Sequence, residues 1–267
     1  MKAWINKYLI DTNLWVAFCF TALLAFFQLS FYKINELVLG IAFFGTLSIY
    51  NFTRIKSVKS FWQFKQLLQP NILWTHLSIA VTLVLILLRG FEPKVFIYLA
   101  LLGVISFCYS LPFSRWGLRG IPFLKLFLIA LIWAGTSIGL LLMVHHDFFE
   151  HPFLLMAVFC YVVGITIPFD IRDQTTDERS LRTIPQSIGV KKSIVLALFS
   201  LIGSALFFYA EAQTFSLTFY SWLTTLFMAL LFIGFSNEKR GYFYFSFWGE
   251  SLSALPLLTY LVLEFIQ

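Results

Sequence analysis

Apolar residues run along this chain in long blocks separated by short polar stretches. About nine blocks stand out, near Leu14–Phe31, Leu37–Ile55, Ile72–Leu88, Val95–Pro112, Phe123–Val144, Phe153–Phe169, Ser193–Tyr209, Phe215–Phe235 and Tyr244–Phe265. A helix needs about 20 apolar residues to cross the hydrocarbon of a bilayer, and each block approaches that length. Strands of a membrane β-barrel would show alternation over roughly ten residues, and these runs are longer and continuous. A helix also satisfies its own backbone within one segment, as lipid demands. The pattern predicts an all-α fold, a polytopic membrane bundle of about nine transmembrane helices. Little chain remains between the blocks, so residues 1–267 are expected to form one integral-membrane domain. The chain shows no repeat with a period of 20–50 residues and no low-complexity tract.

Composition agrees. Hydrophobic residues make up 60% of the chain and charged ones 12%, with 33 Phe, and the mean hydropathy is +0.84. Ordinary soluble chains are about 45–50% apolar and about 25% charged. The content of 14 Gly, 8 Pro and 3 Cys excludes collagen-like and disulfide-stapled classes. Cys19, Cys108 and Cys160 all fall inside apolar blocks and read as small packing residues.

Charge adds a topology. The net charge is +6. With the N-terminus inside and an odd number of spans, every Lys and Arg except Lys33, Arg89 and Lys94 falls on the inner side, as the positive-inside rule requires. The C-terminus is then outside. The basic balance therefore reports orientation and anionic lipid headgroups, not nucleic acid. The opening Met1–Lys7 resembles the charged region of a signal peptide, but the long apolar run after it has no clear small-x-small cleavage site. It reads as an uncleaved first span.

In such a chain, ionisable groups at the membrane carry the information. Three clusters lie on the inner side: Asn51–Lys65, Tyr109–Lys125 and Asp170–Lys192. In the third, Asp170, Asp173 and Asp177 stand at i, i+3 and i+7. On a continued helix that spacing puts them within about 60° on one face. Carboxylates so placed repel unless a cation sits between them, and oxygen ligands suit a hard cation such as Mg²⁺ together with substrate phosphates. A solvated loop in which Arg172, Arg179 and Arg182 neutralise the acids is the other reading. The first cluster, with Arg54, Lys56 and Lys59, has cations that suit phosphate oxygens. The second offers Tyr109, Arg115, Trp116 and Arg119. Both are equally what a positive inner loop would contain.

Together these features resemble the UbiA superfamily of intramembrane prenyltransferases. The resemblance covers most of the chain: nine spans, an inner N-terminus, and polar clusters after spans two, four and six. Asp170, Asp173 and Asp177 match the family's D-x-x-D-x-x-x-D motif. The run Thr183-Ile-Pro185-Gln-Ser-Ile-Gly189 is similar to the Thr/Ser-and-Gly segment on the C-terminal side of that motif in the family. Tyr109-Ser110, Pro112 and Arg115-Trp116 are similar to a turn in homogentisate-type members. The family's first motif, N-x-x-x-D-x-x-x-D, keeps Asn51, but its acids read Ile55 and Lys59.

The resemblance implies transfer of a prenyl group from a prenyl diphosphate to a small-molecule acceptor, often aromatic, within membrane lipid. Asp170, Asp173 and Asp177 would hold Mg²⁺ and act catalytically, with one secure metal site where the family has two. Asn51, Arg54, Lys59, Tyr109, Arg115 and Arg119 would bind substrate. A family member that has lost turnover and binds isoprenoid lipid or a partner protein is the alternative, favoured by Ile55 and Lys59. A transporter fits less well, because the polar groups gather at one face and only Glu250 and His76 stand out within spans. Glu250 is a candidate by its intramembrane position alone, and pairing with a neighbouring helix explains it as well. His76 reads as a packing histidine, and His145, His146 and Asp147 fall on the outer side. No zinc-protease, P-loop or dinucleotide motif occurs.

Overall fold

The computed structural model describes residues 2–53, 70–110, 118, 121, 123–174, 182–212 and 216–266; among these it is helical, without a strand. Every apolar block of the sequence coincides with a helix. In chain order these are α1 (Leu14–Phe31), α2 (Glu36–Phe52), α3 (Pro70–Arg89), α4 (Pro93–Ser110), α5 (Leu124–His145), α6 (Pro152–Asp173), α7 (Val190–Ala212), α8 (Leu217–Gly234) and α9 (Tyr244–Ile266). Seven of them are long and apolar enough to cross a membrane. Helix α2 and the stretch Pro93–Tyr109 of α4 are apolar but shorter, so the described residues account for seven full-length spans rather than nine.

Polar residues punctuate the apolar blocks. The Asn35 side chain accepts from the Val38 N–H at 3.2 Å and starts α2, while the Asn35 N–H donates to the buried side chain of Gln28 at 2.7 Å. Ser216 starts α8 by accepting from the Phe219 N–H at 3.3 Å. These caps satisfy amides that a helix start leaves open. Pro152 sits in the first turn of α6, where its missing N–H costs nothing.

Helix α6 packs between α5 and α7, and α1 packs against α2, α9 and the middle of α5. The core is aromatic. Trp222 of α8 lies against the rings of Phe26, Tyr161 and Phe208, and its indole N–H donates to Ser204 Oγ at 3.2 Å. The buried Tyr161 hydroxyl donates to the Leu252 carbonyl at 2.7 Å. Buried Trp and Tyr need such partners. Other large apolar side chains, among them Phe199, Leu206 and Phe227, face outward, as a lipid-facing surface requires.

Two helices depart from regular winding. A π turn at Gly135–Gly139 interrupts α5, and another at Tyr244–Gly249 opens α9. Such turns are rare and are frequent at functional sites.

The contact between α6 and α7 depends on Gly164. A Cβ there would lie 2.9 Å from Leu201 Cδ2 and 3.1 Å from the Ala197 carbonyl oxygen, too close for either. Small residues allow this approach between membrane helices. Gly164→Val is expected to cost about 1–3 kcal/mol through overpacking. Thermal unfolding of the detergent-solubilised protein measures it, and an unchanged midpoint would mean that the two helices separate freely.

Candidate functional site

The ends of α2, α4 and α6 meet the starts of α5 and α9 around a cavity of about 440 Å³. Its two halves differ in chemistry. Asp170, Arg172 and Asp173 from α6, Lys125 from α5, and Tyr242 and Ser246 near the start of α9 line one part. Ile129, Ile132 and Trp133 of α5 with Val162, Ile165 and Phe169 of α6 line an apolar part. Tyr109 of α4, Thr53 beyond α2, and Asn13 ahead of α1 also reach the wall.

Both described acids of the Asp-rich motif face cations of the same chain. Lys125 Nζ lies 2.8 Å from Asp170 Oδ1, with the Lys side chain 12% exposed and the Asp side chain 2%. Asp173 is held by Arg172 in a fork, Nε to Oδ1 at 2.6 Å and Nη2 to Oδ2 at 2.7 Å. The same guanidinium donates through Nη1 to Ser246 Oγ at 3.3 Å. It also lies over the rings of Phe169, Tyr242 and Phe245, 5.4–5.9 Å from their centroids, within cation–π range. Groups from α6 and from the start of α9 thus fix one guanidinium. The neutralisation of acid by arginine that the sequence allowed is realised at Asp173.

Glu250 also lines this cavity. It follows the π turn of α9, and that turn approaches α6 closely: a Cβ on Gly249 would come 2.9 Å from Phe169 Cζ and 3.1 Å from Phe232 Cζ. Trp15 ties α1 to the same turn, its indole N–H donating to the Phe247 carbonyl at 3.1 Å while the two rings stack.

Asn51 does not reach the cavity. It is buried, and its side-chain amide donates to the carbonyls of Leu47 at 3.0 Å and Thr12 at 3.3 Å, while its oxygen accepts from Asn13 Nδ2 at 3.0 Å. Its partner Asn13 lines the cavity in its place, so Asn51 supports the wall rather than forming it. Arg54, Lys59, Arg115, Arg119 and Asp177 lie outside the described residues. Tyr109 and the first two acids of the motif line the cavity.

Lys125 and Glu250 are the residues that sequence reasoning undervalued. Lys125 counted only as an inner-side charge, although a lysine one residue into an apolar helix is a usable signal. The Thr183–Gly189 run folds as a short helix, Ile184–Ile188, with the Thr183 N–H donating to the Gln186 side chain at 3.0 Å.

At the opposite end of α1, α5 and α6 a second set of polar groups pairs. Tyr32 donates to Asp147 Oδ2 at 3.3 Å and stacks on His145, and burial with the nearby Asp147 pushes its phenol well above its ordinary pKa. His151 contacts Glu211. His76 Nδ1 meets the Ile72 carbonyl at 2.9 Å, a packing contact.

No protein-family model matches the sequence, and no curated protein matches it. Solved structures do. The apo structure of a UbiA homolog from Aeropyrum pernix K1 superposes with a TM-score of 0.67 at 14% identity, covering 94% of this chain and 98% of that one. A structure of a digeranylgeranylglyceryl phosphate synthase in membranes gives 0.59 at 13% identity, covering 98% of each chain. This chain has the UbiA fold. At such identities the likeness is one of fold, and it spans nearly the whole of each chain. A UbiA-fold bundle with several crossing helices is a multi-pass integral membrane protein.

Among the described residues of this UbiA-fold cavity, which leave out Asp177, the acids are a poor match for the divalent ion that the Asp-rich motif led us to expect at Asp170. Among the described residues no three His, Cys, Asp or Glu side chains come together. Magnesium requires an octahedral oxygen shell at about 2.0–2.1 Å, and an ion on Asp170 Oδ1 would meet the Lys125 ammonium there. The guanidinium of Arg172 likewise covers both oxygens of Asp173.

The pair Lys125–Asp170 is largely buried, so removing one partner takes the adjacent opposite charge from the other. Asp170→Ala is expected to destabilise the protein by about 3–5 kcal/mol, and the double replacement Asp170→Ala with Lys125→Met to recover much of that loss. Denaturation midpoints of the three proteins decide it. Equal losses in single and double variants would show that the two charges do not depend on each other.

Proposed function

We propose that this protein is an integral-membrane prenyltransferase, moving a prenyl group from a prenyl diphosphate to a small-molecule acceptor. One observation carries the reading: a single cavity joins a charged end, built from Lys125, Asp170, Arg172 and Asp173, to an apolar wall within a UbiA-fold bundle. A prenyl diphosphate has the same division, a charged head on a greasy chain. That one fold neighbour is named a digeranylgeranylglyceryl phosphate synthase adds support.

In this reading the bond between the allylic carbon and the diphosphate oxygen breaks, and the bond pair leaves with the diphosphate. The cations of the cavity's charged end oppose the charge that develops on the departing oxygens, and preorganised charges of this kind act strongly in a dry site. The Trp133 ring, on the cavity wall, would stabilise the allylic cation. The acceptor then supplies the electron pair for the new bond and releases a proton. Magnesium assistance rests on the spacing of Asp170, Asp173 and Asp177 alone. The distribution of Lys and Arg supports an inner-face site, with the N-terminus inside and the C-terminus outside.

A second reading has one observation in its favour. Both described acids are closed by the chain's own cations, and Ile55 and Lys59 stand where the family pattern has acids. A protein that binds isoprenoid lipid without turning it over would tolerate that.

The assay is incubation of the purified protein with labelled farnesyl and geranylgeranyl diphosphates and a membrane lipid extract, with and without Mg²⁺. Released diphosphate and a labelled lipid product are the expected result, with Asp170→Asn and Asp173→Asn each reducing release about tenfold or more, because Lys125 and Arg172 lose the carboxylates that orient them. Binding with no release supports the second reading. Failure to bind either diphosphate overturns both.

A further inference from the structure

We propose that Lys125 is a tethered cation that takes the place of a divalent ion at Asp170, so that the cavity binds an isoprenoid diphosphate without metal. The inference rests on the prenyl-diphosphate reading above and concerns how the headgroup is held. Three observations lead to it. The Lys125 ammonium lies 2.8 Å from Asp170 Oδ1, at the place where a metal bound to that carboxylate would compete, and both side chains are buried on the cavity wall. The neighbouring acid, Asp173, has both oxygens engaged by Arg172, which is itself held by Ser246 and three aromatic rings. The sequence carries Ile55 and Lys59 where the family pattern has a second set of acids. Acids absent from one motif and an ammonium against an acid of the other both favour side-chain charge over metal charge.

The charge balance is consistent. Lys125 cancels Asp170 and Arg172 cancels Asp173, so an entering diphosphate meets no net negative wall among these four residues. Arg172 gives two donors to Asp173 and one to Ser246, and a guanidinium has five, so it can turn a donor to a phosphate oxygen while Asp173 orients it. The Lys125 ammonium acts as a point charge beside it. A divalent ion bound at Asp170 would face the Lys125 ammonium, a second cation in a poorly screened site, which is unfavourable.

The experiment measures binding rather than turnover. Geranylgeranyl thiolodiphosphate, which resists cleavage, is titrated into the detergent-solubilised full-length protein in excess EDTA and again in millimolar Mg²⁺. The expected result is a Kd in EDTA within about threefold of the value in Mg²⁺, a difference of under about 1 kcal/mol. Lys125→Arg should keep metal-free binding, and Lys125→Met should weaken it about tenfold or more in EDTA, the loss of a charge-assisted contact. Lys125→Met should also acquire a Mg²⁺-dependent rise in its unfolding midpoint without ligand, because Asp170 is then open to the ion, whereas the wild-type midpoint should not move. Wild-type binding that strengthens about tenfold or more with Mg²⁺ overturns the inference and leaves the prenyl-diphosphate reading standing. Binding under neither condition overturns that reading itself. The wild-type comparison needs no variant, so a Lys125→Met protein that fails to fold does not spoil the test.

Discussion

Charge removed from water has to be matched by charge, and in this protein the matching pair is Lys125 with Asp170. The two side chains sit 2.8 Å apart at the wall of the cavity, one from the first turn of α5 and one from the last turn of α6. Taking one of two paired charges from a buried site costs several kcal/mol. Together they tie α5 to α6 where the charged end of the cavity forms. The fork from Arg172 to Asp173 follows the same rule close by. Charge pairing thus decides where polar chemistry can exist in a chain that is otherwise 60% hydrophobic.

The remainder of the site follows from how helices end. A helix terminus leaves amides or carbonyls open and needs polar company, so the ends of α2, α4 and α6 draw polar residues to one end of the bundle. Asn51 shows the economy of this: it joins α2 to the segment before α1 through Asn13 and the Thr12 carbonyl, and Asn13 rather than Asn51 meets the cavity. The π turn that opens α9 brings Ser246, Gly249 and Glu250 to the wall, and the missing side chain of Gly249 lets Phe169 close in. Away from the ends, the aromatic cluster around Trp222 holds α1, α6, α7 and α8 together without charge. The result is a cavity with a polar end supported by a rigid apolar body, the division that a molecule with a charged head and a hydrocarbon chain requires.

The membrane bundle could be read from the sequence because lipid imposes one rule on every crossing segment: continuous apolar length with the backbone satisfied internally. All the apolar blocks became helices for that reason, and the three polar clusters were recognisable because ions are rare elsewhere in such a chain. The acids Asp170 and Asp173 and the phenol Tyr109 reached the cavity because helical periodicity is local and survives folding. Helix α2 starts at Glu36, one residue ahead of its apolar block, and ends at Phe52, so its shorter length lies at its C-terminal end, where hydropathy carries no stop signal.

Partnership was decided by the tertiary structure alone. Lys125 and Asp170 stand far apart in the chain, and no periodicity connects them; only the packing of α5 on α6 brings ammonium to carboxylate. Arg172 beside Asp173 is visible in the sequence, yet the rings at the start of α9 that hold it are not. Glu250 reads as an isolated acid in an apolar run until the π turn of α9 delivers it to the same cavity. Local spacing specifies which groups share a helix face, whereas the cost of bare charge is settled only when separate helices meet.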